Sequence, residues 1–212
     1  MGSTLTALRT GVLNVELGLD ADSDDRFGTT AQREYALQES YRRLWPRMAR
    51  LDREEVTLVT DATDYTLVTV QELVMLELFD ASDAFLTRIN DYRSWVEDDT
   101  TSRLSLSVPL ATTLSLFATG YLPYTVPASG AATSTLPTER EYIVVQGARA
   151  FLFRRLYNQF IVYERHENEN RKTSLSAGEL MGMAREAEGM FQAGMSQYPR
   201  KMATARKATG RR

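Results

Sequence analysis

The first fifty residues alternate between apolar positions at helical spacing and polar loops. Leucine and valine recur every three or four residues, at Leu5, Leu8, Val12 and Val15. This spacing predicts an amphipathic helix that ends at Gly18. A second apolar face, beginning after Thr29 or Thr30, comprises Leu37, Tyr41, Leu44, Trp45, Met48 and Leu51. It predicts a longer helix, which Pro46 should kink or break near Trp45 because proline lacks a backbone N–H.

An acidic segment, Asp20–Asp25, separates the two predicted helices. Its alternate carboxylates are like the opening of a calcium-binding loop. Asp25, however, stands where such a loop needs glycine, and Ala31 stands where it needs a bidentate glutamate. We therefore expect a solvated loop that caps a helix and binds no metal.

The pattern changes to short β-like runs between residue 56 and about residue 126. Val56–Thr60 and Tyr65–Val68 flank Asp61–Asp64, which predicts a hairpin with a four-residue connection. The apolar run Leu73–Phe79 is dense enough for a strand that is covered on both faces, although periodicity alone leaves a helix open.

Two later runs alternate strictly between apolar and polar residues, at residues 103–108 and 113–116. This alternation predicts strands with one face in water. About five to seven strands follow one another without crossover helices, which predicts an antiparallel sheet or a small sandwich.

Helical spacing returns after a segment of small residues, 127–135. Thr138 and Glu141 predict a capping box at the start of a helix that is apolar on more than one face. A last helix carries apolar residues from Leu180 to Phe191. Four glycines at near-helical spacing (Gly178, Gly182, Gly189 and Gly194) are expected to permit close helix packing.

These elements together predict an α+β fold. A helical body of about four helices would carry an inserted antiparallel β sheet or small β sandwich. The predicted parts are N-terminal helices at 1–55, the β module at 56–127, C-terminal helices at 128–198 and a basic tail at 199–212.

Composition narrows the possible functions. The 212 residues include no cysteine, which excludes disulfides and thiolate chemistry. No apolar run reaches the roughly 18 residues of a membrane span, so we expect no membrane contact. The net charge is -3, but all charged residues after position 196 are basic: Arg200, Lys201, Arg206, Lys207, Arg211 and Arg212. Without them the chain would carry about -9, a charge that repels DNA.

The sequence offers almost no catalytic chemistry. His166 is the only histidine and lies in a polar segment, so neither a Ser-His-Asp triad nor a histidine-rich metal site can be assembled around it. No glycine loop for phosphate binding occurs. We expect no enzymatic activity, metal or cofactor.

The order of elements and several short segments resemble the head-to-tail connector adaptor proteins of tailed bacteriophages. The matching segments are Arg26–Thr30 (RFGTT), Tyr41–Trp45 (YRRLW), Thr57–Leu67 (TLVTDATDYTL), Leu114–Pro123 (LSLFATGYLP) and the helix after Pro137. The resemblance covers nearly the whole chain and rests on spacing and residue type.

The resemblance implies a virion protein that is assembled in the bacterial cytoplasm. It would form a ring, of twelve copies, under the portal, link the capsid to the tail and line the channel for double-stranded DNA, which it would contact only passively. Its expected partners are other copies, the portal protein, and a tail-side connector or tail terminator protein. The six basic residues of the tail then become candidates for docking on the portal.

Two other classes of protein remain open. A β-sandwich binding module on a helical stalk, in a tail-associated protein, should show an aromatic cleft around Tyr92, Trp95 and Tyr121. A hydrolase would need convergent carboxylates at the edge of the sheet, and it is the reading with the least support.

Overall fold

The computed structural model describes residues 2–98, 101–164 and 175–198. Within these residues the chain forms two compact units. The helical unit comprises the residues up to Met48 together with those from Pro123 onward, and the β unit comprises Ala49–Leu122.

The N-terminal helical segment is continuous but changes its pitch. α1 spans Leu5–Leu8, a π-helical turn spans Arg9–Leu13, and α2 spans Asn14–Glu16. Thr4 caps the segment, since its hydroxyl accepts from the Ala7 N–H at 3.1 Å. Gly18 adopts a positive φ of 63°, so the predicted helix and its glycine stop are confirmed. The second half of its predicted apolar face is wrong: Val12 is 39% and Val15 is 70% exposed, while Leu13 and Leu17 are buried, because the π-helical turn changes which residues face the core.

α3 spans Thr30–Leu44 and begins with a capping box between Thr29 and Gln32. It ends where a break was predicted, because residue 45 is extended and the Trp45–Pro46 peptide is cis. The prediction that Leu51 continues the helical face is wrong, since Leu51 lies in a strand and is 58% exposed.

α4 spans Glu141–Glu164, after a short 3₁₀ turn at Thr138–Arg140. The predicted capping box between Thr138 and Glu141 is wrong. Glu141 is buried and accepts instead from the Ser3 N–H and, at 2.8 Å, from the Ser3 hydroxyl. The carboxylate that was expected to cap its own helix therefore ties the N-terminal segment to α4.

α5 spans Ala177–Gln197, has a capping box between Ser176 and Glu179, and packs along α4. The core of the helical unit receives side chains from α1, the π-helical turn, α3, α4 and α5. Its largest wholly buried apolar side chains are Leu5, Leu8, Leu13, Leu37, Tyr41, Leu44, Met48, Phe153 and Phe191.

The β unit contains seven described strands in two antiparallel sheets. They are β1 Arg50–Val56, β2 Asp64–Leu67, β3 Glu72–Phe79, β4 Phe85–Ile89, β5 Tyr92–Val96, β6 Ser102–Leu106 and β7 Ser115–Leu122. One sheet has the strand order β1-β7-β3-β4, and the other has the order β2-β6-β5.

The predicted hairpin across Asp61–Asp64 is wrong. β1 starts earlier than expected and pairs with β7, whereas β2 pairs with β6 in the other sheet. The connection between them therefore passes from sheet to sheet. Val56, in the four-stranded sheet, and Leu67, in the three-stranded sheet, are buried in the same core.

β3 confirms the strand predicted at Leu73–Phe79 and lies between β7 and β4. The two sheets share one hydrophobic core, formed by Val56, Tyr65, Leu67, Val70, Leu73, Leu76, Leu78, Leu104, Leu106, Leu116 and Ala118. A helical unit and a small antiparallel β sandwich confirm the predicted α+β class.

Candidate interaction surface of the β unit

Two consecutive strands of the β unit, one in each sheet, expose most of their side chains. In β4, Phe85 is 54% and Leu86 is 48% exposed; in β5, Trp95 is 50% and Val96 is 56% exposed. Each is an edge strand of its sheet, since within the described residues it pairs with one other strand only. Strand edges of this kind can pair with another chain.

The outer strands on the two sides of the sandwich differ in charge. β4 and β5, which we call the arginine edge, carry Arg88 and Arg93 and no acidic residue. On the other side lie β1 and β2, which we call the acidic edge. β2 carries Asp64 and no basic residue, while β1 carries three acidic residues and two arginines.

The opposite charges of the two edges lie in the same rows across the sheets. In the four-stranded sheet, Glu55 on β1 pairs with Phe117, Phe117 with Glu77, and Glu77 with Arg88 on β4. The Glu77 carboxylate lies 3.5 Å from the Arg88 guanidinium, whose side chain is 62% exposed.

The three-stranded sheet repeats this arrangement. Asp64 on β2 pairs with Ser105 on β6, and Ser105 pairs with Arg93 on β5. Each sheet thus places an acidic residue on one outer strand and an arginine at the same level on the opposite outer strand.

The acidic edge also exposes apolar side chains. Leu51 on β1 is 58% exposed, while Val59 and Val68, which follow β1 and β2, are 56% and 66% exposed. The main chain beside them is held by Glu54, whose carboxylate accepts from the N–H groups of Val68, Thr69 and Val70 at 2.8 to 3.2 Å. Of these exposed residues, Val68 therefore lies on a segment whose main chain is anchored to β1.

An aromatic cluster covers the outer face of the four-stranded sheet. Phe79 makes edge-to-face contacts with Phe85 and Phe117, with ring centroids 5.7 and 5.3 Å apart. The Arg53 guanidinium lies over Phe117, 3.8 Å from the ring centroid. The cluster joins β1 to the exposed Phe85 of β4, so it links the two edges through packed side chains.

In the helical unit, the acidic loop forms ion pairs within the protein. Asp22 accepts from Arg9, from Arg33 and from the Asn14 amide. The Asn14 hydrogen bond and the adjacent Arg9 lower the pKa of Asp22, and the Arg26 guanidinium lowers that of Asp24. Among the described residues, no group of three potential metal ligands occurs.

Several residues nominated from the sequence lie outside the described part of the chain. They are His166 and all six portal-docking candidates: Arg200, Lys201, Arg206, Lys207, Arg211 and Arg212. Their predicted roles stay predictions.

The three aromatic residues proposed for a binding cleft do not share a face. Tyr92 packs against the shared core, while Trp95 is exposed on the same strand. Tyr121 is buried on β7 of the other sheet. No observation on these residues therefore favours the binding-module reading.

Sequence reasoning missed β4 and β5 altogether, although Trp95 and Tyr92 had been singled out. A signal was present, since Asn90-Asp91 is flanked by two five-residue runs, FLTRI and YRSWV. A short polar pair between β-prone runs indicates a turn between two strands.

Comparison with known proteins gives structural similarities only. No protein-family profile matches the chain, and no curated protein sequence matches it. A chain in the neck of an empty GTA (gene transfer agent) particle, solved with C6 symmetry, is 16% identical; the alignment covers 88% of this chain and 93% of that one, with a TM-score of 0.34. A chain in the neck of a native GTA particle, solved with C12 symmetry, is also 16% identical, covering 88% and 94%, with a TM-score of 0.30.

No helix in the described part of the chain combines the length and the hydrophobicity that a bilayer crossing requires.

Proposed function

We propose that this protein is a structural head-to-tail connector, or adaptor, of a tailed phage or phage-like particle. Copies of the chain, twelve in the family that the sequence resembles, form a ring under the portal. The ring joins the capsid to the tail side, where it meets a further connector or a tail terminator protein.

The observation that carries this proposal is the exposure of the sandwich edges. Four large apolar side chains, Phe85, Leu86, Trp95 and Val96, are each about half exposed on two consecutive strands. Exposed apolar side chains clustered on strand edges are a liability for a monomer, because they invite pairing with other chains. A subunit of a larger assembly can bury such side chains against its neighbours.

Charge supports passage of DNA through such a ring. The chain has a net charge of -3, although six cations lie in its last thirteen residues. The remainder is strongly acidic and repels phosphate, so DNA would slide through a channel lined by it. Basic surfaces would instead hold the genome.

The basic tail is the part of the chain that we assign to the portal. Its six cations are unmixed with acidic residues, and a segment of one charge can order itself on an acidic partner surface. The protein is then monomeric alone and forms a ring on the portal.

Binding to the purified cognate portal ring tests this function. The full chain should co-sediment with the portal, and electron microscopy should show an added ring below it. A chain lacking residues 199–212 should keep its circular dichroism spectrum and lose binding.

The matched control for the truncation replaces the six tail cations with glutamine in the full-length chain. Loss of binding in both variants assigns docking to the charges. Full binding by the truncated chain would refute the role of the tail, and no binding by the intact chain at any concentration tested would refute the adaptor function.

A further inference from the structure

We propose that neighbouring copies in this ring meet head to tail through their β units, with the arginine edge of one copy against the acidic edge of the next. This inference rests on the proposed function, since it names the surface through which the ring closes. The occupant of each exposed edge is therefore a second copy of the same chain.

Charge complementarity is the first argument. Both arginines, Arg88 and Arg93, lie on one side of the sandwich, and their row partners Glu55 and Asp64 lie on the other. A second copy placed edge to edge at the same level would bring Arg88 beside Glu55 and Arg93 beside Asp64. Two matched pairs favour this arrangement and its register.

The same charges disfavour a symmetric dimer. If two arginine edges faced each other, Arg88 and Arg93 would meet the same cations of the other copy, and like charges in contact are unfavourable. When the contact joins an arginine edge to an acidic edge, each pair of copies still has one free arginine edge and one free acidic edge. Repetition of such a contact closes into a ring when the rotation between copies allows it.

Strand direction is the second argument. β1, β7, β3 and β4 alternate in direction, so β1 and β4 run oppositely. A copy in the same orientation therefore presents β1 antiparallel to the β4 of its neighbour, and antiparallel pairs form the more stable ladder. In the other sheet β2 and β5 run in the same direction, so side chains carry the contact there.

Exposed apolar residues on both edges supply the third argument. In the register that sets Arg93 beside Asp64, Val96 on β5 comes level with Leu67 and therefore close to the exposed Val68. Burying Val96 and Val68 together removes apolar surface from water, while the paired charges set the register. The contact thus covers exposed apolar residues of both edges.

Cysteine cross-linking tests the proposed neighbours, because the chain has no cysteine of its own. The test variant is Glu55→Cys/Arg88→Cys, which leaves Asp64 and Arg93 in place. Three strand spacings separate the two positions within one copy, about 14 Å, and a disulfide requires Cα atoms closer than about 7 Å. Any disulfide between these positions must therefore join two copies.

Under oxidation with the portal present, the double variant should give a ladder of multimers that extends beyond the dimer on denaturing gels. Each single variant should stay monomeric, and a mixture of the two single variants should stop at the dimer. Dimers from either single variant would indicate a symmetric contact and overturn the proposal. Absence of a ladder while the variant binds the portal would also overturn it.

Charge reversal provides an independent test in the other sheet. Arg93→Glu and Asp64→Arg should each reduce ring assembly at least tenfold in midpoint concentration, and the double reversal should restore most of it. Arg185→Glu, at an exposed position of α5, changes the net charge by as much as Arg93→Glu does and should assemble like the parent chain. Equal loss in Arg185→Glu, or no rescue in the double variant, would refute the edge pairing; thermal melts would establish that each variant is folded.

The outcomes separate this inference from the proposed function. A ladder formed by the free protein at high concentration, without portal binding, would support the edge contact and refute the adaptor role. If the double variant binds the portal but runs as a monomer on gels, the adaptor role stands and the edge contact is refuted. A ladder obtained only with another partner protein would assign the edges to that partner and refute the contact between copies.

Discussion

Arg33 is completely buried beneath the loop that contains Asp22, and its guanidinium donates to the main-chain carbonyl of Asp22 at 2.6 Å. The same group also donates to the carbonyl oxygens of Asp24 and Gly28. One side chain on α3 therefore shapes the acidic loop from within. The segment that a sequence search would inspect for calcium is organised by an arginine.

Replacing Arg33 with methionine should destabilise the protein by about 3 kcal/mol or more, because it removes a buried charged donor and leaves three carbonyl groups without it. Urea unfolding monitored by circular dichroism measures this loss. Arg42→Met is the matched control on the same helix: Arg42 is half exposed and pairs with Glu39, so its loss should cost less than about 0.5 kcal/mol. Equal losses in the two variants would contradict the role of Arg33.

The loop should also make stability depend on pH through Asp22. Hydrogen bonds from the Asn14 amide and the Arg9 guanidinium lower the pKa of Asp22 below its ordinary 3.8. A carboxylate with a lower pKa in the folded state contributes stability that is fully present above 3.8 and is lost as the pH falls through the folded value. The gap in unfolding free energy between the parent and Asp22→Asn should thus be widest at pH 7 and narrow below 3.8.

Urea titrations at pH 7, 5, 4 and 3 measure this gap. Asp22→Asn keeps the size of the side chain while removing its charge, so it isolates the titrating group. A gap that is constant across this range would show that titration of Asp22 does not contribute to stability.

Local signals in the sequence predicted the helices well. The threonine cap, the glycine at positive φ and the proline break each act within a few residues of the helix end, so residue type and spacing suffice. Ser176 and Glu179 even form a capping box that the sequence displays. The prediction failed at Glu141, because its partner Ser3 lies 138 positions away.

Strand pairing was the part that the sequence could not supply. The segments around Asp61 have the local pattern of a hairpin. Their strands nevertheless belong to different sheets, which share one core. β4 and β5 escaped notice because alternation predicts half-buried strands, whereas these two strands have few buried side chains. The candidate surface is thus made of residues that violate the usual pattern, as functional positions often do.

Glu54 provides a prediction for the acidic edge. Its carboxylate accepts from three consecutive N–H groups, at Val68, Thr69 and Val70. Glu54→Gln replaces one acceptor oxygen with a donor, so we expect a loss of about 1.5 to 3 kcal/mol, the range for hydrogen bonds to charged groups. Faster hydrogen exchange at the amides of residues 68–70 would reveal it.

The neighbouring Glu55→Gln serves as the control, because Glu55 is exposed. It should leave the exchange of these amides unchanged. Protection of residues 68–70 that is the same in Glu54→Gln as in the parent chain would show that the segment is held by packing alone.

The glycines of α5 allow a last prediction within a single helix. The expectation from sequence was that all four permit close packing, but of the four only Gly194 lies so close to a neighbour that a Cβ would clash, at 2.8 Å from Ile143 Cγ1. Gly194→Ala should therefore force the helices apart and cost about 1 to 3 kcal/mol, as overpacking of a filled core does.

Gly182 and Gly189 have open space where a Cβ would be placed. Alanine at either position should raise the free energy of unfolding by about 0.4 to 1 kcal/mol, because it reduces the conformational entropy of the unfolded chain without a clash. Denaturant midpoints of the three variants, measured side by side, should show a loss of stability for Gly194→Ala and a gain for the other two. If Gly194→Ala were as stable as Gly182→Ala, the close approach of α5 to Ile143 on α4 would not be the reason for glycine at position 194, and the interface could admit a methyl group by a small shift of that side chain.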